Sequence, residues 1–215
     1  MVYKEVAQII SLSSKMVVLT GAGCSVESGV PDFRSQSGWW KQIDPKTVAT
    51  VKALESNYPM FHSFYTTRVN HLRNILPHAG HEFLARWEQV GHIKLIATQN
   101  VDGLHKAAGS SHVQELHGSI KEFRCHSCGK ATEEEAFINE QPCQQCGGKL
   151  RPAVVLFGEN LPDDAWERSM KAIEKADVVM VIGTNELAGS SSQSAPFYNK
   201  RKINLNQCGR DWPGG

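Results

Sequence analysis

The sequence predicts an α/β fold in which a mostly parallel sheet carries helices on both faces. Short apolar runs that end at turn residues alternate with segments of helical periodicity. Two stretches interrupt this alternation: residues 35–75 are helix-prone, and residues 121–150 are rich in cysteine. The 215 residues are enough for one domain with a small second module.

Four segments are predicted strands, because each is short, apolar and bounded by turn signals. The first, residues 16–20, runs directly into a glycine turn. The others are residues 94–99, 177–182 and 202–205. Helices are predicted between them, each with an apolar face at i, i+4 and i+7. In residues 81–90 this face is Phe83, Trp87 and Val90, and in residues 164–176 it is Trp166, Met170 and Ile173.

Asp164 and Glu167, which are three residues apart, are expected to cap the second of these helices, just after Pro162. A serine-rich run at residues 189–194 is predicted to be a loop.

The charges nearly balance, with 23 Lys and Arg against 22 Asp and Glu and a net charge of +1. This balance excludes a strongly basic nucleic-acid binder of the kind recognised by bulk charge. No apolar run has the roughly 18 to 20 residues of a membrane span, and we find no signal or transit peptide. The expectation is a cytoplasmic protein with no membrane partner.

Four of the six cysteines form two C-x-x-C pairs, which are Cys125, Cys128, Cys143 and Cys146. In a reducing compartment this spacing indicates a metal site, since four thiolates bind zinc tetrahedrally and leave no open position. The zinc is therefore predicted to be structural. A redox role fits two such pairs poorly, and the acidic run at residues 133–135 argues against a nucleic-acid zinc ribbon.

A glycine turn follows the first strand, at Gly21-Ala22-Gly23 and Ser25. Glycines there allow close approach to a phosphate, which the following N–H groups would hold. A plain tight turn explains them equally well, because the next glycine is Gly29 and the G-x-G-x-x-G spacing is not met. The next loop carries Asp32, Phe33 and Arg34, and it either covers a ligand or is an ordinary surface loop.

Gln99, Asn100 and Asp102 follow the second strand, where α/β sheets bind ligands. They suit hydrogen bonds to a ribose or an amide, although a polar loop with an Asx turn has the same composition. His117 is a candidate general base, because imidazole titrates near neutral pH. His105 and His112 are rival candidates. Cys24 is either a reactive thiol or a small packed residue, and packing is the more common fate of a free cysteine.

Together these residues resemble the sirtuin family of NAD-dependent protein-lysine deacylases. The matching segments occur in the family's order between residue 16 and about residue 206: residues 21–35, 98–105 and 117–119, the two C-x-x-C pairs, and residues 151–159 and 183–184. The resemblance implies a Rossmann-like NAD-binding domain made of residues 1–35, 76–120 and 151–215. It also implies a small domain made of a helical insert, residues 36–75, and a zinc-binding insert, residues 121–150.

The resemblance also implies site residues, with NAD and structural Zn²⁺ as cofactors and acylated protein lysines as substrates. His117 would be the general base, assisted by Asn100 and Asp102. NAD would contact Gly21, Ala22, Gly23, Ser25, Asp32, Phe33, Arg34, Gln99, Asn100, Asp102, His117, Gly183, Thr184 and Asn204. The peptide and acyl-lysine channel would be lined by Val155, Phe157, Gly158 and Glu159. No hydride would move, and the products would be free lysine, nicotinamide and O-acyl-ADP-ribose.

Tyr65 and Arg68 lie at i and i+3 on a predicted helix. They are similar to the Tyr-x-x-Arg pair that meets the acyl carboxylate in sirtuins that remove succinyl and malonyl groups. A buried tyrosine beside a solvated arginine is the alternative.

The resemblance stops after Thr184, where residues 185–215 depart from the family pattern. This departure leaves open a second hypothesis, in which the protein is a catalytically impaired module that binds NAD, ADP-ribose or an acyl-peptide without turnover. ADP-ribosyl transfer to protein is a further, chemically close possibility.

Overall fold

The structure is a computed structural model that describes residues 2–31, 45–184 and 201–204. The predicted ligand-covering residues Asp32, Phe33 and Arg34 lie outside the described residues. So do the serine-rich run and almost all of residues 185–215, the segment that is expected to depart from the family pattern. What we predict for these segments therefore stays a prediction.

The larger sheet has five strands, and every pair of neighbours is parallel. The strands are β1 (Met16–Thr20), β2 (Ile93–Thr98), β3 (Val113–Glu115), β7 (Val178–Ile182) and β8 (Arg201–Asn204). Their order is β3-β2-β1-β7-β8. The four predicted strands are thus confirmed with bounds shifted by about a residue, and so is the parallel sheet.

Helices cover both faces of this sheet. The helices that pack on it are α1 (Val2–Leu12), α5 (Ala79–Gln89) and α8 (Asp163–Lys175). Because successive side chains of a strand point to opposite faces, Val17 and Leu19 pack in the cluster that contains Ile173 of α8. Met16 and Val18 pack on the other face, with residues of α1 and α5.

The predicted apolar face of α5 is wrong at two of its three positions. Trp87 packs against the cluster that contains Met16 and Val18, but Phe83 and Val90 are 43% and 69% exposed. The buried stripe is His81, Leu84, Ala85 and Glu88. Two of these four residues are polar, so hydropathy alone does not reveal the stripe. Glu88 is accommodated by hydrogen bonds from the backbone N–H groups of Ser111 and His112, 2.9 and 2.7 Å long.

Helix α8 has the predicted apolar face, since Trp166, Met170 and Ile173 all pack in one cluster. The predicted capping pair is wrong. The cap position is Pro162, which makes no side-chain cap bond, and Glu167 instead pairs with Lys171 one turn later, at 2.8 Å.

A second sheet is antiparallel and packs against four further helices. Its strands are β4 (Gly118–Cys125), β5 (Ala131–Thr132) and β6 (Leu150–Val154), in the order β5-β4-β6. The helices are α2 (Pro45–Val48), α3 (Val51–Ser56), α4 (Tyr58–Leu72) and α7 (Glu134–Ile138). Thr50 and Asn57 cap the starts of α3 and α4 by accepting bonds from backbone N–H groups.

One apolar cluster joins the helical segment to the cysteine-rich segment. It contains Phe61 and Tyr65 from α4, Phe123 from β4, Phe137 from α7 and Leu150 from β6. We call this cluster the small core. None of the described helices is both long and apolar enough to cross a membrane.

Candidate active site

The candidate site lies at the carboxyl ends of β1, β2 and β7. The chain continues from β1 to β2 on one side, whereas β7 and β8 lie on the other side of β1. In open α/β sheets, ligands bind at such a topological switch point. The loops that begin at Gly21, Gln99 and Gly183 meet there.

Glycines bring two of these loops into contact. The N–H groups of Gly21 and Gly23 donate to the carbonyls of Ile182 and Gly183, both at 3.0 Å. Gly183 has a positive φ of 69°, and a Cβ atom there would lie 2.1 Å from the backbone nitrogen of Cys24. Only glycine fits this approach. A 3₁₀ helix, Ala22–Ser28, follows the turn in place of an α-helix.

The N–H groups at the start of this turn are used within the protein. Besides Gly21 and Gly23, Cys24 donates to the carbonyl of Gly21 at 2.8 Å. The glycine turn is thus explained in part by loop packing, and these three groups do not point to a phosphate site by themselves.

A buried hydrogen-bond network ties the turn to the loop after β2. Asn100 Nδ2 donates to the Gly21 carbonyl at 3.1 Å and to Ser25 Oγ at 2.9 Å. Ser25 Oγ donates to Asp102 Oδ2 at 2.8 Å, and Asp102 Oδ1 accepts from the Leu104 N–H at 2.9 Å. Both amide hydrogens of Asn100 are thereby used, so its Oδ1 atom is the group that it offers to a ligand.

His117 has a fixed tautomer. Its Nδ1 atom lies 3.0 Å from the carbonyl oxygen of Gln99, which can only accept, so Nδ1 carries the proton. In the neutral ring Nε2 then holds a lone pair. Burial lowers the pKa of His117, against the opposing effect of the Gln99 carbonyl. The ring is therefore a neutral base near pH 7.

The rival histidines are placed differently. His105 is buried, and its Nε2 atom lies 2.9 Å from Thr20 Oγ1. His112 is exposed, and its Nδ1 atom lies 2.8 Å from the Glu88 carboxylate. Of the three, His117 is the one that contacts the loop after β2. Gln99 also accepts a hydrogen bond from Thr184 at 3.2 Å, which joins that loop to the end of β7.

The segment after β6 connects His117 to the helical segment. Val155 N–H donates to the His117 carbonyl at 2.8 Å, and Phe157 N–H donates to the Ala49 carbonyl at 2.9 Å. Phe157 is 51% exposed, although it is a large apolar residue. Gly158 has a positive φ of 95°. The segment that is bonded to the backbone of the candidate base therefore leads, two residues later, to an exposed apolar side chain.

Glu159, expected to line the same channel, pairs with a buried arginine. Both of its carboxylate oxygens accept from Arg151, at 2.6 and 2.9 Å, and Arg151 is fully buried. Burial opposes ionisation of Glu159, but the hydrogen bonds from Arg151 and the Leu156 N–H, together with the charges of Arg151 and Arg124, outweigh it and lower the pKa. Sequence reasoning missed Arg151, since an isolated arginine at the start of an apolar segment carries no signal of a buried pair.

Tyr65 and Arg68 are neighbours on α4. The Tyr65 ring is buried, with its centroid 4.6 Å from that of Phe61, and burial raises the pKa of its hydroxyl to about 12. The Arg68 guanidinium carbon lies 5.8 Å from the centre of the Tyr65 ring and 5.6 Å from that of Phe64. Burial lowers the pKa of Arg68, and the charge of Asp102 acts in the opposite direction.

The four paired cysteines converge, as their spacing predicts. Cys125 and Cys146 have their sulfur atoms 3.5 Å apart, and Cys128 and Cys143 have theirs 3.7 Å apart. Sulfurs bound tetrahedrally at about 2.3 Å from zinc stand about 3.8 Å apart, so the cluster fits zinc. Gly129 and Gly147, which follow the two knuckles, have positive φ values of 72° and 71°.

Sequence reasoning did not identify two threonines whose hydroxyl groups join the strands at the site. Thr20 and Thr98 end β1 and β2, and the Thr20 hydroxyl donates to Thr98 at 2.8 Å. A polar residue that closes an apolar strand is the signal that would have identified them. Of the expected cofactor residues, Asn204 lies in β8 but its side chain is outside the described part of the structure.

Comparisons with known proteins agree on one family. The model of the Sir2 family matches residues 21–188. An NAD-dependent protein deacetylase of Oceanobacillus iheyensis is 45% identical over 190 residues, which are 87% of this chain and 80% of that protein. An NAD-dependent protein deacylase of Archaeoglobus fulgidus is 38% identical over 202 residues, 93% and 82% of the two chains. A structure of Sir2Tm bound to a propionylated peptide superposes with a TM-score of 0.83 at 30% identity, covering 95% of this chain and 86% of that one.

Proposed function

The chain belongs to the Sir2 family, and from this membership we propose that it removes acyl groups from protein lysine side chains with NAD as co-substrate. The products are free lysine, nicotinamide and O-acyl-ADP-ribose. The observation that carries the proposal is the neutral His117 ring, held as a base at the switch point beside the Asn100 network.

The residues at this edge suit a dinucleotide. When bound, NAD supplies the ADP-ribosyl group that receives the acyl group, with nicotinamide as the leaving group. His117 Nε2 takes the proton of a ribose hydroxyl. Asn100 Oδ1 accepts from an amide or hydroxyl of the ligand, and Asp102 orients Ser25 and the start of α6 (Leu104–Ala107).

We propose further cofactor contacts from Gly21, Ala22, Gly23, Ser25, Gln99, Gly183 and Thr184, which surround this edge. Asp32, Phe33, Arg34 and the side chain of Asn204 join them on the resemblance alone. The peptide is proposed to lie along Val155, Phe157 and Gly158, because this segment runs between His117 and the helices. Glu159 supports that segment from behind, since its carboxylate also accepts from the Leu156 N–H at 2.8 Å.

A mass-spectrometric assay tests the activity. Zinc-loaded protein receives NAD and an equimolar mixture of acetyl-lysine and succinyl-lysine peptides. We expect deacylated peptide together with the matching O-acyl-ADP-ribose. Folded protein that binds NAD but forms no product would overturn the proposal and favour the binding module that the departure at residues 185–215 suggests. ADP-ribosylated protein in place of deacylated peptide would favour ADP-ribosyl transfer.

We also propose that the site accepts acidic acyl groups such as succinyl and malonyl. Arg68 offers a forked donor for a carboxylate, and the Tyr65 hydroxyl stays protonated because burial holds its pKa at about 12. The Arg68 guanidinium packs over the rings of Phe64 and Tyr65, which places it beside the tyrosine with which it would bind the acyl carboxylate.

Arg68→Met is expected to lower desuccinylation about tenfold to a hundredfold more than deacetylation, since a charge-assisted hydrogen bond contributes about 1.5 to 3 kcal/mol. The measurement is kcat/KM for both peptides. Arg73→Met is the matched control, because Arg73 follows the same helix and pairs with Glu134 at the surface. Equal losses on both peptides would contradict the acidic-acyl proposal while leaving deacylation itself intact.

A further inference from the structure

Three buried side chains behind the glycine turn converge although no hydrogen bond joins them. They are Cys24 in the 3₁₀ helix, His81 in α5 and His105 in α6. One ligand atom from each lies within 4.8 Å of the other two. The three elements are far apart in the sequence and meet beneath the start of the cofactor edge.

His81 is the least expected member of this group. It is 0% exposed, and within the described structure neither of its ring nitrogens has a hydrogen-bond partner. A buried polar atom without a partner costs about 1 to 3 kcal/mol, so native proteins seldom retain two on one ring. A ligand that accepts a nitrogen lone pair would remove this cost.

The hydrogen bonds of His105 leave its Nδ1 atom available to bind a metal. Thr20 donates its hydroxyl proton to Thr98, so its oxygen accepts from Nε2–H of His105 at 2.9 Å. Nδ1 of His105 then carries a lone pair and has no partner among the described residues. Metal-binding histidines usually donate their second nitrogen in this way.

The neighbouring His78 differs from His81, because both of its ring nitrogens are hydrogen-bonded. Its Nε2 atom donates to the carbonyl of Cys24 at 2.7 Å, and its Nδ1 atom accepts from the Gly80 N–H at 2.9 Å. Both nitrogens are used, so His78 packs against His81 but is not a ligand.

We propose that Cys24, His81 and His105 form a second transition-metal site, separate from the four-cysteine cluster. One thiolate and two imidazoles suit Zn²⁺ and related borderline ions, as in sites with three protein ligands and an open fourth position. Tetrahedral ligands of zinc stand roughly 3.3 to 3.7 Å apart, and the three ligand atoms lie within 4.8 Å of one another, so they would have to approach by about 1.5 Å at most. The metal–sulfur bond forms as the Cys24 thiol releases its proton to solvent.

The protonation of the histidines agrees with this assignment. Burial lowers the pKa of His81 and of His105 to about 4, so both rings are neutral ligands near pH 7. Burial also raises the pKa of the Cys24 thiol to about 12, so the cysteine is an unreactive thiol until a metal displaces its proton. A bound ion would join the 3₁₀ helix to α5 and α6, next to Ser25 of the cofactor network.

Cobalt titration tests the site. Co²⁺ is added to protein whose four-cysteine cluster already holds one equivalent of zinc, and bound metals are counted by mass spectrometry. We expect a second equivalent of metal, the visible absorption of tetrahedral Co²⁺ with a sulfur-to-cobalt charge-transfer band, and a higher thermal midpoint by mass action. All three changes are expected to be lost in Cys24→Ala and in His81→Gln.

Cys208→Ala is the matched control, because it removes the other cysteine outside the paired set and is expected to keep all three changes. Circular dichroism establishes that each variant is folded, and Cys24→Ala is a small change at a packed position. No second equivalent in the wild type would overturn the proposal and favour a buried water as the partner of His81. A second equivalent that survives in both Cys24→Ala and His81→Gln would place the ion elsewhere and would also overturn it.

Discussion

His117→Ala is expected to lower kcat/KM for deacylation by about 10²- to 10⁴-fold, the usual contribution of a general base. Binding of NAD is expected to change little, because the Asn100, Ser25 and Asp102 network does not include the imidazole. Steady-state kinetics and calorimetry measure the two quantities separately. The backbone carbonyl of His117 that holds Val155 is kept in the variant.

His92→Ala is the matched control, because His92 is exposed and precedes β2 at the opposite edge of the sheet. The pH profile gives an independent check. Burial disfavours the imidazolium, so the acid limb of kcat/KM is expected below the ordinary histidine value of 6.5. An acid limb above 6.5, or full activity in the alanine variant, would exclude His117 as the base.

Removal of the structural zinc is expected to abolish activity and to unfold the small core. Cys125 and Cys143 are both buried members of that core, so loss of the metal leaves thiols in place of its cross-link. Structural zinc contributes about 10 to 16 kcal/mol of apparent binding free energy in small domains. We expect Cys143→Ser to lose one equivalent of zinc and to lower the thermal midpoint, as measured by metal analysis and differential scanning calorimetry.

Ser127→Ala, a change within the first knuckle that removes no thiolate, is expected to keep both the zinc and the thermal midpoint. Chelation of the wild type should reproduce the Cys143→Ser result, and added zinc should restore turnover. A chelated protein that retains its thermal midpoint would show that the small core folds without metal.

The sequence was sufficient to predict a structural feature where a single segment contains the whole pattern. Apolar strands that end at glycine and cysteines at knuckle spacing are local patterns, and both are present in the structure. The sequence was insufficient to predict contacts between residues that are far apart in the chain. The Ser25–Asp102 bond joins residues 77 positions apart, and only the order of the strands brings them together.

Polar residues in buried positions account for the main errors. Hydropathy placed Phe83 and Val90 on the buried face of α5, whereas His81 and Glu88 occupy it. The fully buried Arg151, which pairs with Glu159, was not predicted at all. For Glu88 and for the Arg151–Glu159 pair, a partner elsewhere in the chain makes burial tolerable, and a single sequence does not identify that partner.

The small core also determines when the chain can fold during synthesis. Helix α4 contacts residues that leave the ribosome much later, since the Tyr58 hydroxyl binds the Leu150 carbonyl 92 positions away and His62 binds the Phe137 carbonyl 75 positions away. The apolar side of the nascent helix, which α2 and α3 cover only in part, is therefore not fully covered until both cysteine knuckles have been made. The chain therefore binds zinc and covers this helix at the same stage of synthesis. When zinc is scarce during translation, an aggregation-prone surface stays exposed.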